Sequence, residues 1–174
     1  MSQFTVQAFA SGLISAVAHS PRIAIRDWSG EASFTPETLK DAKLAVKIKA
    51  ASLDVLDELR EQDRRELQRV MNNEVLESAR YPEISFESST ISADKLKADL
   101  FRPNVEGRLV LHGITNSHSF VGQVALGVDT LRAYGEFTLL HSDYSIKIAS
   151  IAGATLKLQD ELKFAFYVIG RKNS

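Results

Sequence analysis

Apolar and polar residues alternate with a period of two in several segments of the chain, and this alternation restricts the fold more than any other feature. The strongest examples are LAVKIKA at residues 44–50, ISFES at 84–88, VEGRLVL at 105–111 and LKFAFYV at 162–168. Because successive side chains of a β-strand point to opposite faces, each segment predicts a strand with one face turned away from water. In the first segment, Val46 and Ile48 share the apolar face while Lys47 and Lys49 share the other.

Weaker alternation covers much of the remaining chain, at residues 4–17, 23–34, 95–101, 120–129 and 133–139. Turn-forming residues separate the segments at Thr35-Pro36-Glu37, Arg102-Pro103-Asn104 and Gly113 to Asn116. About nine strands in 174 residues is the number expected of a closed or nearly closed antiparallel barrel. We therefore predict a mostly β protein in which residues 1–174 form a single antiparallel β-barrel domain.

A stretch at about residues 54–80 departs from this pattern and has helical spacing. Its apolar stripe consists of Leu56, Leu59, Leu67, Val70 and Met71. Asp54 is the predicted N-cap, and Pro82 excludes helix beyond Tyr81. The charged run at residues 58–69 is interpreted as a solvated helix face, with a partner-binding face as the alternative. The sequence thus predicts a helical insert in the barrel.

The overall charge argues against several classes of function. Lys and Arg total 21 against 22 Asp and Glu, a formal charge of −1, so no field favours nucleic acid or an anionic membrane. The absence of cysteine excludes disulfides, thiolate metal sites and a cysteine nucleophile.

The apolar stretch at residues 9–18 lacks a basic region before it, and no apolar run approaches the ~20 residues of a spanning helix. We expect a soluble, cytoplasmic protein without stable membrane insertion.

Two histidines six residues apart, in LVLHGITNSHSF at residues 109–120, raise the question of metal binding or catalysis. His112 and His118 are predicted on opposite legs of one hairpin, with His112 on the exterior, polar face. A metal site usually needs three or four convergent ligands, and no nearby carboxylate falls on both legs. His19 and His141 have no Ser or Asp partner at the spacing of a recognisable triad. We therefore expect neither a metal site nor an enzyme.

Several motifs together resemble the YceI-like family of lipocalin-like proteins. They are Ser52-Leu53-Asp54 at the end of a strand, ESARYPEISFESS at residues 77–89, VEGRLVLHGITNSHSF at 105–120 and HSDYSIKI at 141–148. Their order and spacing agree over nearly the whole chain. The resemblance implies a lipocalin-like antiparallel barrel that binds a long isoprenoid lipid, of quinone or polyprenyl type, in its interior.

The sequence differs from the family pattern in two places. Ala10-Ser11 and Ser15-Ala16 stand where the family has a His-Ser pair and then a bulky aromatic residue, although His19 is retained near the strand end. Ser145 replaces the glycine that commonly follows the Ser-Asp-Tyr step. Small residues in the first strand predict a cavity that is wider at that end.

The apolar strand faces supply the candidate lining of the cavity. These residues are Phe34, Val46, Ile48, Ile84, Phe86, Leu109, Leu111, Phe120, Phe137, Phe164 and Phe166. Arg22 and Arg26, which flank the first turn, are candidates for contact with a lipid head group.

Three functions follow from this sequence. The first is binding, storage or transport of an apolar lipid, with no cofactor required beyond a possible bound quinone or polyprenyl lipid. The second is a structural or interaction protein whose barrel is filled by its own side chains, because periodicity alone does not distinguish a lined cavity from a packed core. The third is a histidine-dependent enzyme. Exposed strand edges would also allow a homodimer.

Overall fold

The computed structural model describes residues 2–11, 22–36, 38–147 and 157–172. Ten strands form one antiparallel sheet in this part of the chain. The strands are β1 (Gln3–Ser11), β2 (Arg22–Ile25), β3 (Trp28–Thr35), β4 (Lys40–Lys49), β5 (Leu53–Val55), β6 (Glu83–Lys97), β7 (Leu100–Leu111), β8 (Ile114–Leu126), β9 (Thr130–Leu140) and β10 (Lys157–Arg171). Their order in the sheet is β3-β4-β6-β7-β8-β9-β10-β1-β2-β5.

The sheet curls on itself because its two ends belong to one bent hairpin. β2 continues into β3, and β4 continues into β5 through a 3₁₀ turn at Ala50–Ser52. Backbone hydrogen bonds cross the bend from Arg26 N–H to the Ser52 carbonyl (3.2 Å) and from Lys49 N–H to the Asp27 carbonyl (3.0 Å). The half containing β2 and β5 pairs with β1, whereas the half containing β3 and β4 pairs with β6. The result is a curled antiparallel β sheet, in agreement with the predicted mostly β fold.

Strand parity follows the sequence pattern. Val46 and Ile48 face the inside of the curl, while Lys47, Lys49 and Glu106 are exposed on the outside. Charged side chains remain in water on one face and apolar side chains are removed from it on the other.

The boundaries of the strands differ from the prediction at three points. Residues 23–34 form two strands, β2 and β3, instead of one. Arg102-Pro103-Asn104 lies inside β7, and the β6–β7 turn is at residues 98–99, so the predicted strand 95–101 spans a turn. Pro103 pairs with Ala93 of β6. The register of β7 with β8 is the same at Phe101 and at Asn104, but no pairing forms at Pro103, because proline has no N–H to donate to the ladder.

The β7–β8 hairpin is tighter than the sequence predicted. β8 begins at Ile114, so the turn consists of His112 and Gly113 alone instead of residues 113–116. Both residues have positive φ, 53° for His112 and 74° for Gly113. Two-residue hairpin turns of type I′ require positive φ at both positions, because their twist then matches that of the strands.

The helical insert is real but begins later than predicted. Helix α1 spans Glu61–Val70 and is followed by a wider turn at Met71–Val75. Asp54, the predicted N-cap, instead lies in β5 opposite Ala24, and Arg60 precedes the helix without a capping side chain. β5 takes residues 53–55 because its extended conformation buries both Leu53 and Val55, which are 7% and 1% exposed.

The charged run of the insert is a solvated face in this structure. Arg65 pairs with Glu61 one turn away, and Arg69 pairs with Glu66 and Glu74, all on exposed side chains. Of the predicted stripe, Val70 and Met71 are buried and Leu67 packs against the same cluster, but Leu59 is exposed. His19 and Ser15-Ala16, and with them the predicted wider end, lie outside the described residues.

Candidate functional site

The curled sheet encloses a cavity of about 1380 Å³. Pockets for drug-sized ligands are typically about 300–1,000 Å³, so this space is large even for a whole small molecule. The inward side chains of the strands form its wall, and they are mainly aliphatic and aromatic. A barrel filled by its own side chains, one of the predicted alternatives, would not leave such a space.

The structure places all eleven predicted lining residues on the wall of this cavity. They are Phe34, Val46, Ile48, Ile84, Phe86, Leu109, Leu111, Phe120, Phe137, Phe164 and Phe166. Their contact with a ligand stays a prediction. Their common location follows from strand parity, because every second residue of a curled sheet points inward.

Aromatic rings cover much of the wall and pack against one another across the strands. Phe137 stacks on Phe164 with centroids 4.9 Å apart and on Phe120 at 5.5 Å. Phe120 also contacts Phe86 at 5.6 Å and Phe166 at 5.8 Å in tilted or edge-to-face geometry. Such pairs contribute about 0.5–1.5 kcal/mol each beyond burial of area. The rings therefore support each other along the wall and leave the lumen open.

The insert, residues 56–82, closes one end of the cavity. Apolar residues of the insert that line the cavity at this closed end are Leu67, Val70, Met71, Val75 and Leu76. Arg64 fixes the helix by donating hydrogen bonds to the carbonyls of Val55 (2.5 Å) and Asp57 (2.7 Å). The Gln68 amide donates to the Leu53 carbonyl at 2.6 Å. The floor of the cavity is thus tied to the end of β5.

We predict that Arg64→Met lowers the free energy of unfolding by about 1.5–3 kcal/mol, because hydrogen bonds to a charged group are among the stronger ones. The matched control is Arg65→Met, one residue away, which breaks only the exposed pair with Glu61 and should cost less than about 0.5 kcal/mol. Urea unfolding of both variants checks this. Equal losses would show that the insert is not held by Arg64.

The opposite end of the cavity is a rim, formed by the β6–β7 turn (98–99), the β8–β9 turn (127–129) and residues 170–172 at the end of β10. Val128 at the rim is 96% exposed. The rim also carries Arg171 and Lys172 beside Asp99 and Asp129. Within the described residues, no ion pair involves Arg171 or Lys172. This end therefore places charged side chains beside the apolar wall of the cavity.

Arg22 and Arg26, the predicted head-group contacts, lie away from the cavity wall. Arg22 lies within 3.9 Å of the Asp57 carboxylate, and Arg26 donates two hydrogen bonds, of 3.0 and 3.1 Å, to that of Asp54. Both arginines are exposed on the outer face of β2 and the bend. This placement does not favour contact with a ligand inside the barrel. The C-terminal Arg171 and Lys172, which the sequence analysis did not single out, line the cavity at the rim.

His112 is not the exterior histidine that strand parity predicted. Its side chain is 11% exposed, its Nε2 lies 2.8 Å from a Glu77 carboxylate oxygen, and its Nδ1 lies 3.2 Å from the Tyr144 carbonyl. The positive φ of the turn takes His112 out of the alternating pattern, and the insert supplies the carboxylate. The residue therefore links the hairpin to the insert at the closed end.

His118 points into the barrel. It lies on the cavity wall, and its ring centroid is 5.1 Å from that of Phe137. Burial lowers the pKa of His118, because the charged form loses its hydration there. In the part of the chain that the structure describes, no group of three or more His, Asp or Glu side chains is placed to hold a metal ion.

His141 lies beside Ser142 and Asp160, yet the three do not form a nucleophile triad. The Asp160 carboxylate accepts hydrogen bonds from both the Ser142 N–H (2.8 Å) and the Ser142 hydroxyl (2.5 Å). His141 Nδ1 donates to the Ile146 carbonyl at 2.9 Å. In a triad the histidine accepts the serine proton, whereas here the serine hydroxyl is directed at the carboxylate. The cluster holds the turn after β9 against β10.

The same hydrogen bonds from Ser142 lower the pKa of Asp160. Ser142→Ala should therefore raise the pKa of Asp160 toward its usual value, which an NMR titration of the carboxyl carbon can follow. Because the folded-state pKa is depressed, the stabilisation is present above the unfolded pKa of about 3.9 and is lost as pH falls through the folded value. A mutant whose Asp160 titrates as in the wild type would contradict this cause.

Comparison with known proteins agrees with the geometry. A family model described as YceI-like domain matches residues 3–168. The chain belongs to the YceI-like family. No helix among the described residues is long and apolar enough to cross a bilayer. A comparison with curated proteins gives no match.

Solved structures with the same fold are distant in sequence. Burkholderia cenocepacia BcnA is 18% identical, with a TM-score of 0.75 and coverage of 97% of this chain and 96% of that one. A polyisoprenoid binding domain from Saccharophagus degradans, implicated in plant cell wall breakdown, is 14% identical, with a TM-score of 0.69 and coverage of 99% and 94%. The YceI protein of Campylobacter jejuni is 16% identical, with a TM-score of 0.64 and coverage of 87% and 85%. At these identities the likeness establishes the YceI-like fold.

Proposed function

We propose that this YceI-like protein binds a long isoprenoid lipid, of quinone or polyprenyl type, in the cavity of its curled sheet and stores or transports it. The observation that carries the proposal is the apolar cavity of about 1380 Å³, lined by the insert at one end and by residues of the rim at the other. Membership of the YceI-like family and the fold shared with a polyisoprenoid binding domain support it. The proposal includes no catalytic step.

The affinity for such a lipid would come from burial of its chain. An isoprene unit adds about five carbons, and burying a methylene group contributes about 0.8 kcal/mol, so each unit entering the cavity contributes up to roughly 4 kcal/mol before the chain is immobilised. The stacked rings of Phe120, Phe137 and Phe164 give such a chain a continuous apolar surface. No polar contact is required along the tail.

Specificity would come from the few polar groups that touch the cavity and from its depth. The insert limits the length of chain that fits, and Arg171 and Lys172 meet any polar group left at the rim. A carrier needs an open end for exchange and a closed end that excludes water.

The test is to purify the protein without detergent, extract it with organic solvent and identify the lipids by mass spectrometry. Native mass spectrometry of the same sample gives the stoichiometry. The expected result is one isoprenoid lipid per chain, with uptake of an added long-chain quinone or polyprenyl lipid by a delipidated sample. Failure of the delipidated protein to take up any long apolar chain would exclude this function.

A further inference from the structure

The rim of the cavity projects an aliphatic side chain into water. Val128 is the middle residue of the β8–β9 turn and is 96% exposed. Leu96, beside the β6–β7 turn, is 47% exposed. Single exposed apolar residues on strands are ordinary, but turns are normally formed by glycine, proline and small polar residues. Folding of the turn therefore does not account for a valine at its tip.

Backbone hydrogen bonds hold the parts of the rim together. The Leu126 N–H donates to the Asp99 carbonyl at 2.8 Å, which joins the β8–β9 turn to the β6–β7 turn. The Lys172 N–H donates to the Asp129 carbonyl at 3.0 Å, which joins the end of β10 to the same turn. Val128 is thus carried on a hydrogen-bonded platform, so little loop ordering is needed when its side chain contacts a partner.

The basic side chains on and beside the rim are not neutralised within the protein. In residues 96–100, 126–132 and 170–172 they are Lys97, Arg132, Arg171 and Lys172, and all are exposed. In the part of the chain that the structure describes, none of these forms an ion pair. Away from the rim, exposed basic side chains such as Lys49, Arg65 and Arg108 are paired with carboxylates.

The acidic residues of the same three segments are Asp99 and Asp129. These segments therefore carry an excess of positive charge, although the formal charge of the whole chain is −1. Clustering of unpaired charge of one sign around an exposed apolar tip favours an anionic partner.

An apolar row connects the exposed tip with the interior of the cavity. Phe120, Val124, Leu126 and Val128 all line the cavity. They lie on one face of β8 and the turn that follows it, because they are separated by even numbers of residues. A hydrocarbon chain that reaches Val128 would meet apolar side chains from there inward.

A bilayer that contains anionic lipids fits this combination of groups. Lysines and arginines near such a surface are attracted to its phosphates, and their long side chains can keep the charge at that level. An aliphatic tip is stabilised when it leaves water at the boundary between head groups and acyl chains. A protein partner would need a pocket shaped for Val128, whereas a bilayer accepts a projecting side chain without one.

We propose that the protein docks on anionic phospholipid bilayers through the rim, with Val128 and Leu96 below the phosphates and Lys97, Arg171 and Lys172 among them. The docking is peripheral and involves no spanning segment. It names the surface with which the proposed lipid-binding site exchanges its ligand, and it rests on that function for the exchange step alone.

Vesicle cosedimentation of the delipidated full chain tests the docking. The vesicles contain phosphatidylcholine alone or equimolar phosphatidylcholine and phosphatidylglycerol. The rim variant removes three unpaired cations together: Lys97→Gln, Arg171→Gln and Lys172→Gln. The matched control removes three exposed cations that are paired away from the rim: Lys49→Gln, Arg60→Gln and Arg65→Gln.

The wild type should bind the mixed vesicles and release them as salt is added. Each cation near an anionic surface contributes about a fivefold factor, so the rim variant should bind about a hundredfold more weakly. The control variant has the same net charge and should bind like the wild type. Val128→Ser should weaken binding by about threefold to tenfold, because a hydroxyl replaces the aliphatic tip.

A fluorescent label tests the position of the tip directly. The chain has no cysteine, so Val128→Cys carries a single polarity-sensitive fluorophore. Ser117→Cys, at an exposed position nearer the start of β8, provides the control. Emission from the label at position 128 should shift to shorter wavelength on the mixed vesicles, and emission from the label at position 117 should not change.

Equal losses of binding in the rim variant and the control would indicate an attraction without a defined surface and overturn the docking. Binding that depends on the rim cations but not on Val128, with no emission shift, would assign the surface to an acidic protein and refute the bilayer. Uptake of an added polyprenyl lipid by the same delipidated protein is measured in parallel. Uptake without vesicle binding would refute this inference alone, whereas vesicle binding without uptake would support the docking and refute the proposed function.

Discussion

Replacing Leu109 by tryptophan should remove most of the bound lipid while the folded protein stays stable. Leu109 points into the cavity from β7, between Phe86 of β6 and Asn116 of β8, and it is only half-buried because part of its surface faces the lumen. An indole ring there occupies space that the ligand needs. Excluding as few as two methylenes from the cavity already corresponds to about a tenfold loss of affinity.

The stability of the lipid-free form distinguishes a lined cavity from a packed core. Inserting this much volume into a packed interior costs about 1–3 kcal/mol, whereas an open lumen accepts it with little strain. The control is Arg108→Trp, at the adjacent outward position, which should change neither lipid content nor stability appreciably. Lipid extraction measures the lipid content of both variants, and thermal unfolding measures their stability. A strongly destabilised Leu109→Trp protein that never held lipid would mean that the interior is solid.

The substitution Phe101→Ala should cause the largest loss of stability that we expect from any single change. Phe101 is 1% exposed, and the ammonium group of Lys95 lies 5.6 Å from its ring centroid. Truncating a fully buried phenylalanine typically costs about 3–5 kcal/mol, through lost burial and the cavity left behind. Such a loss is a large part of the total stability of a typical domain.

Urea unfolding at constant m-value measures the effect of Phe101→Ala. Val128→Ala at the rim provides the control, because the valine is 96% exposed and its truncation removes almost no buried area. A change below about 1 kcal/mol for Phe101→Ala would show that the surrounding side chains collapse into the vacated space.

The strand faces and the cavity wall were predictable because a sheet has a local rule. Every second residue of a strand shares a face, so Val46, Ile48 and Phe86 could be assigned to the interior without knowing which strands pair. The number of predicted strands indicated a barrel, which alternation alone does not specify, and the motifs that resemble the YceI-like family implied the same architecture. Fold class and lining were therefore accessible from short-range patterns.

Features that depend on tertiary context could not be predicted from the sequence. Pro103 is a typical turn residue, yet it lies inside β7, where it pairs with Ala93 of β6. Asp54 is a typical N-cap, but burial of its neighbours Leu53 and Val55 draws it into β5. In both cases packing of the sheet overrode a local preference of the sequence.

The histidines show the same limitation within the site. The inward direction of His118 follows from the parity that it shares with Phe120, a residue that the sequence analysis assigned to the interior. The sequence placed the turn at 113–116 instead of 112–113, so it predicted His112 at the end of a strand. The contact between the Glu77 carboxylate and the His112 ring depends on how the insert folds back against the hairpin. No spacing in the sequence predicts it.

The floor of the cavity belongs to the insert, which takes no part in the strand ladder. The ten strands therefore set the register of the sheet, whereas side chains of the insert such as Leu67, Met71 and Val75 set the depth of the cavity. On the proposed lipid-binding function, enlarging or trimming those three side chains would alter the length of tail that fits, while the pairing of the strands would be unchanged. Selection among lipids of different chain length could then evolve, or be engineered, independently of the fold.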